Sequence, residues 1–229
     1  PIAARDIFAQ SIDRESHLGK ALALFTIEPR TKANLTEARQ LLAALTHEDP
    51  DDNYGIAATY YLARLNEAHA DKPDHHAAIT TYRHLLVEHR GHPLAELAAP
   101  KLAILLLYED VSPETWEKHY AEIDTLLPTL QTAAAQRDTR LVMADALFKL
   151  RQDHARAFPL LKFCEEADLV YRITRQSVLL QQLAESARVL GLIPEARQYY
   201  TRYLKEFPRE AASEEIQRRL TALEVEATP

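Results

Sequence analysis

The sequence predicts an all-α protein, an α-α superhelix (solenoid) of about five helix pairs with terminal capping helices, and three observations carry that reading. Only four of the 229 residues are glycine, although hairpins, βα turns and phosphate-cradling loops draw on glycine for backbone at positive φ. Ala, Leu, Arg, Glu and Gln, all good helix formers, are abundant instead. One apolar pattern also returns at a near-constant period, the signature of a repeat architecture.

That pattern is a small residue followed four later by a large apolar one, and three later by another. Its occurrences are Ala38/Leu42/Leu45, Ala78/Tyr82/Leu85, Ala157/Leu161/Cys164 and Ala196/Tyr200/Tyr203, with a degenerate copy at Trp116/Tyr120/Ile123. The anchors at 38, 78, 116, 157 and 196 lie 40, 38, 41 and 39 residues apart. Spacing of i, i+4, i+7 puts each trio on one helical face.

A second helical pattern precedes each trio, over Gly19–Thr26, Tyr54–Ala68, Leu94–Leu107, Thr139–Leu150 and Ile173–Leu190. The chain thus reads as one repeat domain over 1–229. Its pairs span 15–50, 53–90, 93–128, 131–168 and 171–208, and a capping helix follows at 211–226, with its core from Ser213 to Glu224. A lead-in helix is expected near Ala4–Ile12. Asn53 is placed to cap a helix, and Ser112-Pro113-Glu114 is a favourable helix entry. Pro29, Pro73 and Pro194 fall in linkers or at helix starts, where the missing N–H does no harm. Pro159 does not, so either its helix is kinked or the helix begins at Ala157 with Pro159 in the first turn.

The last pair carries a family resemblance. Leu183-Ala184-Glu185-Ser186-Ala187-Arg188-Val189-Leu190-Gly191-Leu192-Ile193-Pro194-Glu195-Ala196, continuing to Tyr200, Tyr203 and Pro208, resembles the tetratricopeptide consensus without a gap. The resemblance makes Ala184 the small helix-contact residue, Gly191 the turn, Ala196 the second packing alanine, Tyr200 the large aromatic and Pro208 the terminator. Ala187 and Leu180 depart from the family's tyrosine and tryptophan. The other pairs look similar but longer; in the second, the excess lies in Ala70–Asp74. In style, Ala78…Tyr82…Leu85 and Ala196…Phe207-Pro208 are similar to repeats of bacterial envelope adaptors, namely the outer-membrane assembly lipoprotein and Tol–Pal coordinating proteins. That similarity implies a periplasmic or cell-envelope setting, with a cytoplasmic one as the alternative.

Composition bounds the function. The net charge is −7 with both signs interspersed, whereas a nucleic-acid footprint needs a basic patch. No apolar run approaches the ~20 residues of a membrane-spanning helix. The lone cysteine, Cys164, sits among Leu160, Leu161 and Phe163 and reads as a buried, inert thiol. The recurring tyrosines, Tyr60, Tyr61, Tyr82, Tyr199, Tyr200 and Tyr203, read as packing between repeats, with Tyr60 as the exception on the inner face. The chain begins at Pro1, which fits either removal of an initiator methionine or trimming of a longer precursor.

No catalytic constellation stands out, and no cofactor or metal is expected. His84-Leu85-Leu86-Val87-Glu88-His89 nears an inverted zinc-protease motif with one residue too many; an i, i+5 pair points ~140° apart on a helix. His75, His76, His84, His89 and His92 read as solvated helix-end residues. Asp49-Pro50-Asp51-Asp52-Asn53-Tyr54-Gly55 mimics the start of a calcium loop, but glycine is seventh rather than sixth and Tyr60 stands where the bidentate Glu belongs. Acidic residues at a helix N-terminus explain it.

The expected function is therefore a non-enzymatic adaptor that binds a protein or peptide on its concave face. Registering Ala63 against Ala184, the family resemblance implies inner-face contacts from Tyr60, Arg64 and Glu67, from Leu97, Ile104 and Leu107, and from Gln181, Glu185 and Arg188. A surface polar at both ends and apolar in the middle suits an amphipathic or extended segment. Substituting Tyr60, Leu107 or Arg188 is expected to weaken binding without unfolding. A regulatory or recruiting domain of a larger enzyme and a self-assembling homo-oligomer are the alternatives.

Overall fold

A computed structural model describes residues 13–68, 72–109, 112–167 and 173–226; the expected helix at Ala4–Ile12 lies outside them. Among the described residues the chain is all helix and turn. It forms two compact units, residues 1–135 and 136–229.

The first unit contains α1 (Arg14–Thr26), α2 (Lys32–Glu48), α3 (Asn53–Ala68), α4 (His75–Glu88), a helical turn at Pro93–Glu96 leading into α5 (Ala98–Tyr108), and α6 (Pro113–Leu126). Each packs against the next in sequence. Helix α7 (Ala133–Ala146) crosses the boundary. The second unit continues with α8 (His154–Glu166), α9 (Ile173–Val189), α10 (Ile193–Glu206) and α11 (Ser213–Glu226), and α8 to α11 again pack in succession.

The recurrent trios are the core. All members of Ala38/Leu42/Leu45, Ala78/Tyr82/Leu85 and Ala157/Leu161/Cys164 are fully buried, and Ala196/Tyr200/Tyr203 nearly so. In the degenerate copy Trp116 and Ile123 are fully buried while Tyr120 is half-buried. The small residue lets the paired helices approach closely and the aromatic fills the space beside it, so exchanging Ala for a larger residue would overpack the contact by about 1–3 kcal/mol.

Helix ends follow from side-chain caps. Asp13, Thr31, Asp74 and Asp153 each accept a hydrogen bond from a backbone N–H three residues on. The cap of α3 is Asp52 rather than the expected Asn53, since the Gly55 N–H donates to Asp52 Oδ1 at 2.7 Å. Asp52 also receives Arg14 at both oxygens, 3.0 and 2.8 Å, and Arg14 reaches Glu48 and the carbonyls of Leu45 and Asp49. Burial opposes ionisation of Asp52, but the Arg14 and Gly55 hydrogen bonds outweigh it and hold the carboxyl below its usual range. The calcium-loop mimic is thus a helix cap clamped by an arginine. Glycine is required at its end because a Cβ on Gly55 would lie 2.0 Å from the Asp49 carbonyl oxygen.

Two interruptions and one helix start depart from the sequence reading. The helix expected at Leu94–Leu107 breaks at Leu97, because Pro100 has no N–H to give the Glu96 carbonyl. The helix expected at Thr139–Leu150 runs from Ala133 to Ala146, then widens into a π turn over Leu147–Arg151, ended by Gln152 at φ 52°. Pro159 lies inside α8, which starts at His154 rather than Ala157. In the last pair Ala184 and Ala196 are fully buried. Gly191 turns at φ +74°, with the Leu192 N–H on the Ala187 carbonyl at 2.8 Å, a helix end that favours glycine.

Candidate functional site

Two polar nodes and one apolar stripe occupy the faces that the sequence singled out. In the first unit, Arg64 and Glu67 are one turn apart on α3, with Arg64 Nε 3.1 Å from Glu67 Oε2. The contact misses hydrogen-bond geometry, so Arg64 Nε stays buried without an aligned acceptor. Glu67 is better served from α4: the Tyr82 hydroxyl donates to Glu67 Oε2 at 2.7 Å. Burial, then that bond, push the Tyr82 phenol well above its ordinary range.

The second unit repeats the device with its charges in the opposite order. Glu185 precedes Arg188 on α9, and Arg188 binds both carboxylate oxygens at 3.0 and 2.6 Å. The Tyr200 hydroxyl donates to Glu185 Oε2 at 2.9 Å, and Arg219 from α11 adds a bond at 2.6 Å. The Arg188 bonds, opposed by burial and aided by Tyr200, bring the Glu185 carboxyl down to about 2. Burial and the same carboxylate raise the Tyr200 phenol to about 12. In both nodes the tyrosine follows its glutamate by 15 residues. That shared spacing is present in the sequence, where packing alone does not reveal that the hydroxyls have a common acceptor.

Two expected contact residues are corrected. Tyr60 is 7% exposed, its ring centroid 5.1 Å from that of Tyr61 and 6.1 Å from that of Tyr82. It belongs to the core. Leu107 has no exposed surface, and its carbonyl accepts the Trp116 Nε1–H at 3.1 Å. Neither can present its side chain to a partner, so their substitution would damage the fold first. Arg64, Glu67, Gln181 and Glu185 are half-buried and Arg188 is exposed.

Leu97 and Ile104, at 39% and 37% exposure, form an open stripe with Tyr108 at 36%. A spacing of four residues puts Ile104 and Tyr108 on one side of α5, and Leu97 is at the break that precedes the helix. Tyr108 is not among the expected contacts, although the same spacing identifies it.

The histidines do more than solvate helix ends. His75 lies with Nδ1 3.0 Å from Glu109 Oε2 and Nε2 3.2 Å from the Glu67 carbonyl. His92 Nδ1 accepts the Leu94 N–H at 3.3 Å while Nε2 meets Asn53 Oδ1 at 2.8 Å. His76 and His84 are exposed. No group of three or more His, Cys, Asp or Glu able to hold a metal ion occurs among the described residues, and no described helix is long and apolar enough to cross a membrane. Cys164 is fully buried, and burial pushes its thiol up to about 11.

No protein-family model matches the chain, and none of the curated proteins matches it significantly. Among solved structures it is similar to a thermophilic TPR protein of Thermus thermophilus. The likeness covers 93% of this chain and 100% of that one at 16% identity, with a TM-score of 0.51. The fold is therefore TPR-like.

Proposed function

We propose that the chain is a non-enzymatic scaffold that binds a protein or peptide segment on the first helices of its pairs. The observation that carries the reading is the α5 stripe: Ile104 and Tyr108 on α5, and Leu97 at its entry, are each exposed in a unit whose recurrent trios are almost wholly buried. Apolar groups spaced this way suit a partner helix or extended segment laid along α5. Arg64 and Glu67 on α3 supply polar contacts in the same unit, and Gln181, Glu185 and Arg188 do so in the second. Their preformed ion pairs and hydrogen bonds lower the entropy lost on binding. TPR-like folds commonly serve as protein-interaction scaffolds, which supports the class of function and leaves the partner to experiment.

Ile104→Glu tests it. At a position 37% exposed the charge should lower the melting temperature only modestly and leave helicity intact, while a partner co-purified with the unaltered chain is lost. Retention of that partner by Ile104→Glu would move the binding face elsewhere. The likeness in style to envelope repeats extends the proposal to a cell-envelope setting, for which fractionation of the native host is the check; recovery in the cytoplasm refutes it.

A further inference from the structure

Arg140 on α7 stands apart from the paired cations of the second unit. Arg137, Arg156, Arg175, Arg188, Arg202, Arg218 and Arg219 each lie against a carboxylate. Arg140 has no carboxylate partner among the described residues. Its guanidinium carbon sits 3.7 Å above the centre of the Phe163 ring on α8, and Nη1 donates to the carbonyl and Oε1 of Gln136 at 3.2 and 3.4 Å. Nε and Nη2 make no hydrogen bond among the described residues.

The local charges do not neutralise it. Asp138 is taken by Arg137 and Arg175, and Glu166 by Lys162. The nearby Cys164 thiol remains protonated because it is buried. Burial lowers the Arg140 pKa, opposed by Cys164, as for a cation partly desolvated without a counter-charge. The Phe163 ring, 38% exposed, lies 3.7 Å beneath the guanidinium carbon, a stacking distance that restrains the guanidinium and leaves Nε and Nη2 without a hydrogen bond among the described residues. A planar fork held this way matches a carboxylate, and an apolar neighbour can pack beside the exposed ring.

We propose that Arg140 and Phe163 form a carboxylate-binding subsite, which takes an Asp or Glu side chain or a chain terminus of a bound polypeptide. The subsite rests on the reading of the chain as a scaffold, but its test needs no partner. In the full-length chain labelled with 15N, the Arg140 Nε–H resonance is followed as sodium acetate is added against sodium chloride at equal ionic strength, with inorganic phosphate as a third arm.

A saturable shift with acetate and none with chloride is expected. Phe163→Leu keeps the apolar body but loses the ring face, and should weaken acetate binding roughly tenfold. Arg140→Lys should weaken it at least as much, because the charge stays and the fork is lost. A shift of the same size with chloride, or parallel shifts at the exposed Arg90 and Arg209, would show an adventitious ion only. Unchanged acetate binding in Phe163→Leu overturns the stacked geometry. Phosphate binding tenfold tighter than acetate overturns the carboxylate assignment, and no response of Arg140 to acetate overturns the subsite. Loss of the scaffold function elsewhere would leave this titration unaffected, so the two proposals fail separately.

Discussion

The two polar nodes make the most instructive comparison in the molecule. Each holds a tyrosine hydroxyl on a glutamate 15 residues upstream, and each places an arginine one turn from that glutamate. Their charge order is reversed: Arg64 precedes Glu67, whereas Glu185 precedes Arg188. Because positions i and i+3 lie side by side on a helix, either can offer the carboxylate to a tyrosine from the next helix. The frame of small residues and aromatics therefore requires an acceptor near the tyrosine and tolerates either order. The nodes differ in how well the acid is satisfied. Glu67 has a hydrogen bond from Tyr82 and a misaligned Arg64, while Glu185 has Tyr200, a two-point Arg188 and Arg219 from the terminal helix.

The largest expected difference follows from that satisfaction. Glu185→Ala strands Arg188 and the Tyr200 hydroxyl and leaves Arg219 with Glu215 alone, and should cost about 2–3 kcal/mol, against about 1–2 kcal/mol for Glu67→Ala. Equal losses in denaturant unfolding of the two variants would remove the distinction.

A pH series sharpens it. The Glu185 carboxyl falls from an ordinary 4.5 to about 2 in the folded chain. A depressed acid contributes stability that is complete above the unfolded value and is lost as pH falls through the folded one. Acidification from pH 4.5 to about 2 should therefore destabilise the second unit, and Glu185→Gln should flatten that part of the curve. An unchanged slope in Glu185→Gln would assign the acid sensitivity to other groups.

Tyr200→Phe and Tyr82→Phe come next, at about 1 kcal/mol each, since each removes one hydrogen bond and leaves an ionised acceptor. The smallest effect belongs to the double exchange Arg64→Glu with Glu67→Arg. It recreates the second unit's order in the first and should change stability by less than about 0.5 kcal/mol. A loss above about 2 kcal/mol would show that the order is fixed by neighbours.

Much of the fold was legible because it is local. The i, i+4, i+7 trios, the turn at Gly191 and the proline-led starts at Pro113 and Pro194 depend on residues within one or two helical turns. Asp52 displaced Asn53 as a cap by one position, which side-chain chemistry alone does not separate. The site was less legible because exposure depends on other helices. Tyr60 is buried among Tyr61 and Tyr82, and Leu107 by packing of α5 in the first unit, while Ile104, three residues earlier, faces outward. Pairing Ala63 with Ala184 selects helix faces by register, and register does not say which side chains remain open. Arg140 gave no sequence signal, since its isolation depends on the pairing of its neighbours in space.

The central claim is that the α5 stripe holds a polypeptide. Its most direct measurement is photo-crosslinking in the native host, with a benzophenone amino acid placed at position 104 and, as a control, at position 87, where Val87 on α4 is 70% exposed. The account predicts a discrete protein adduct from 104 that is absent from 87. No adduct at 104, or the same adduct from both positions, would contradict it.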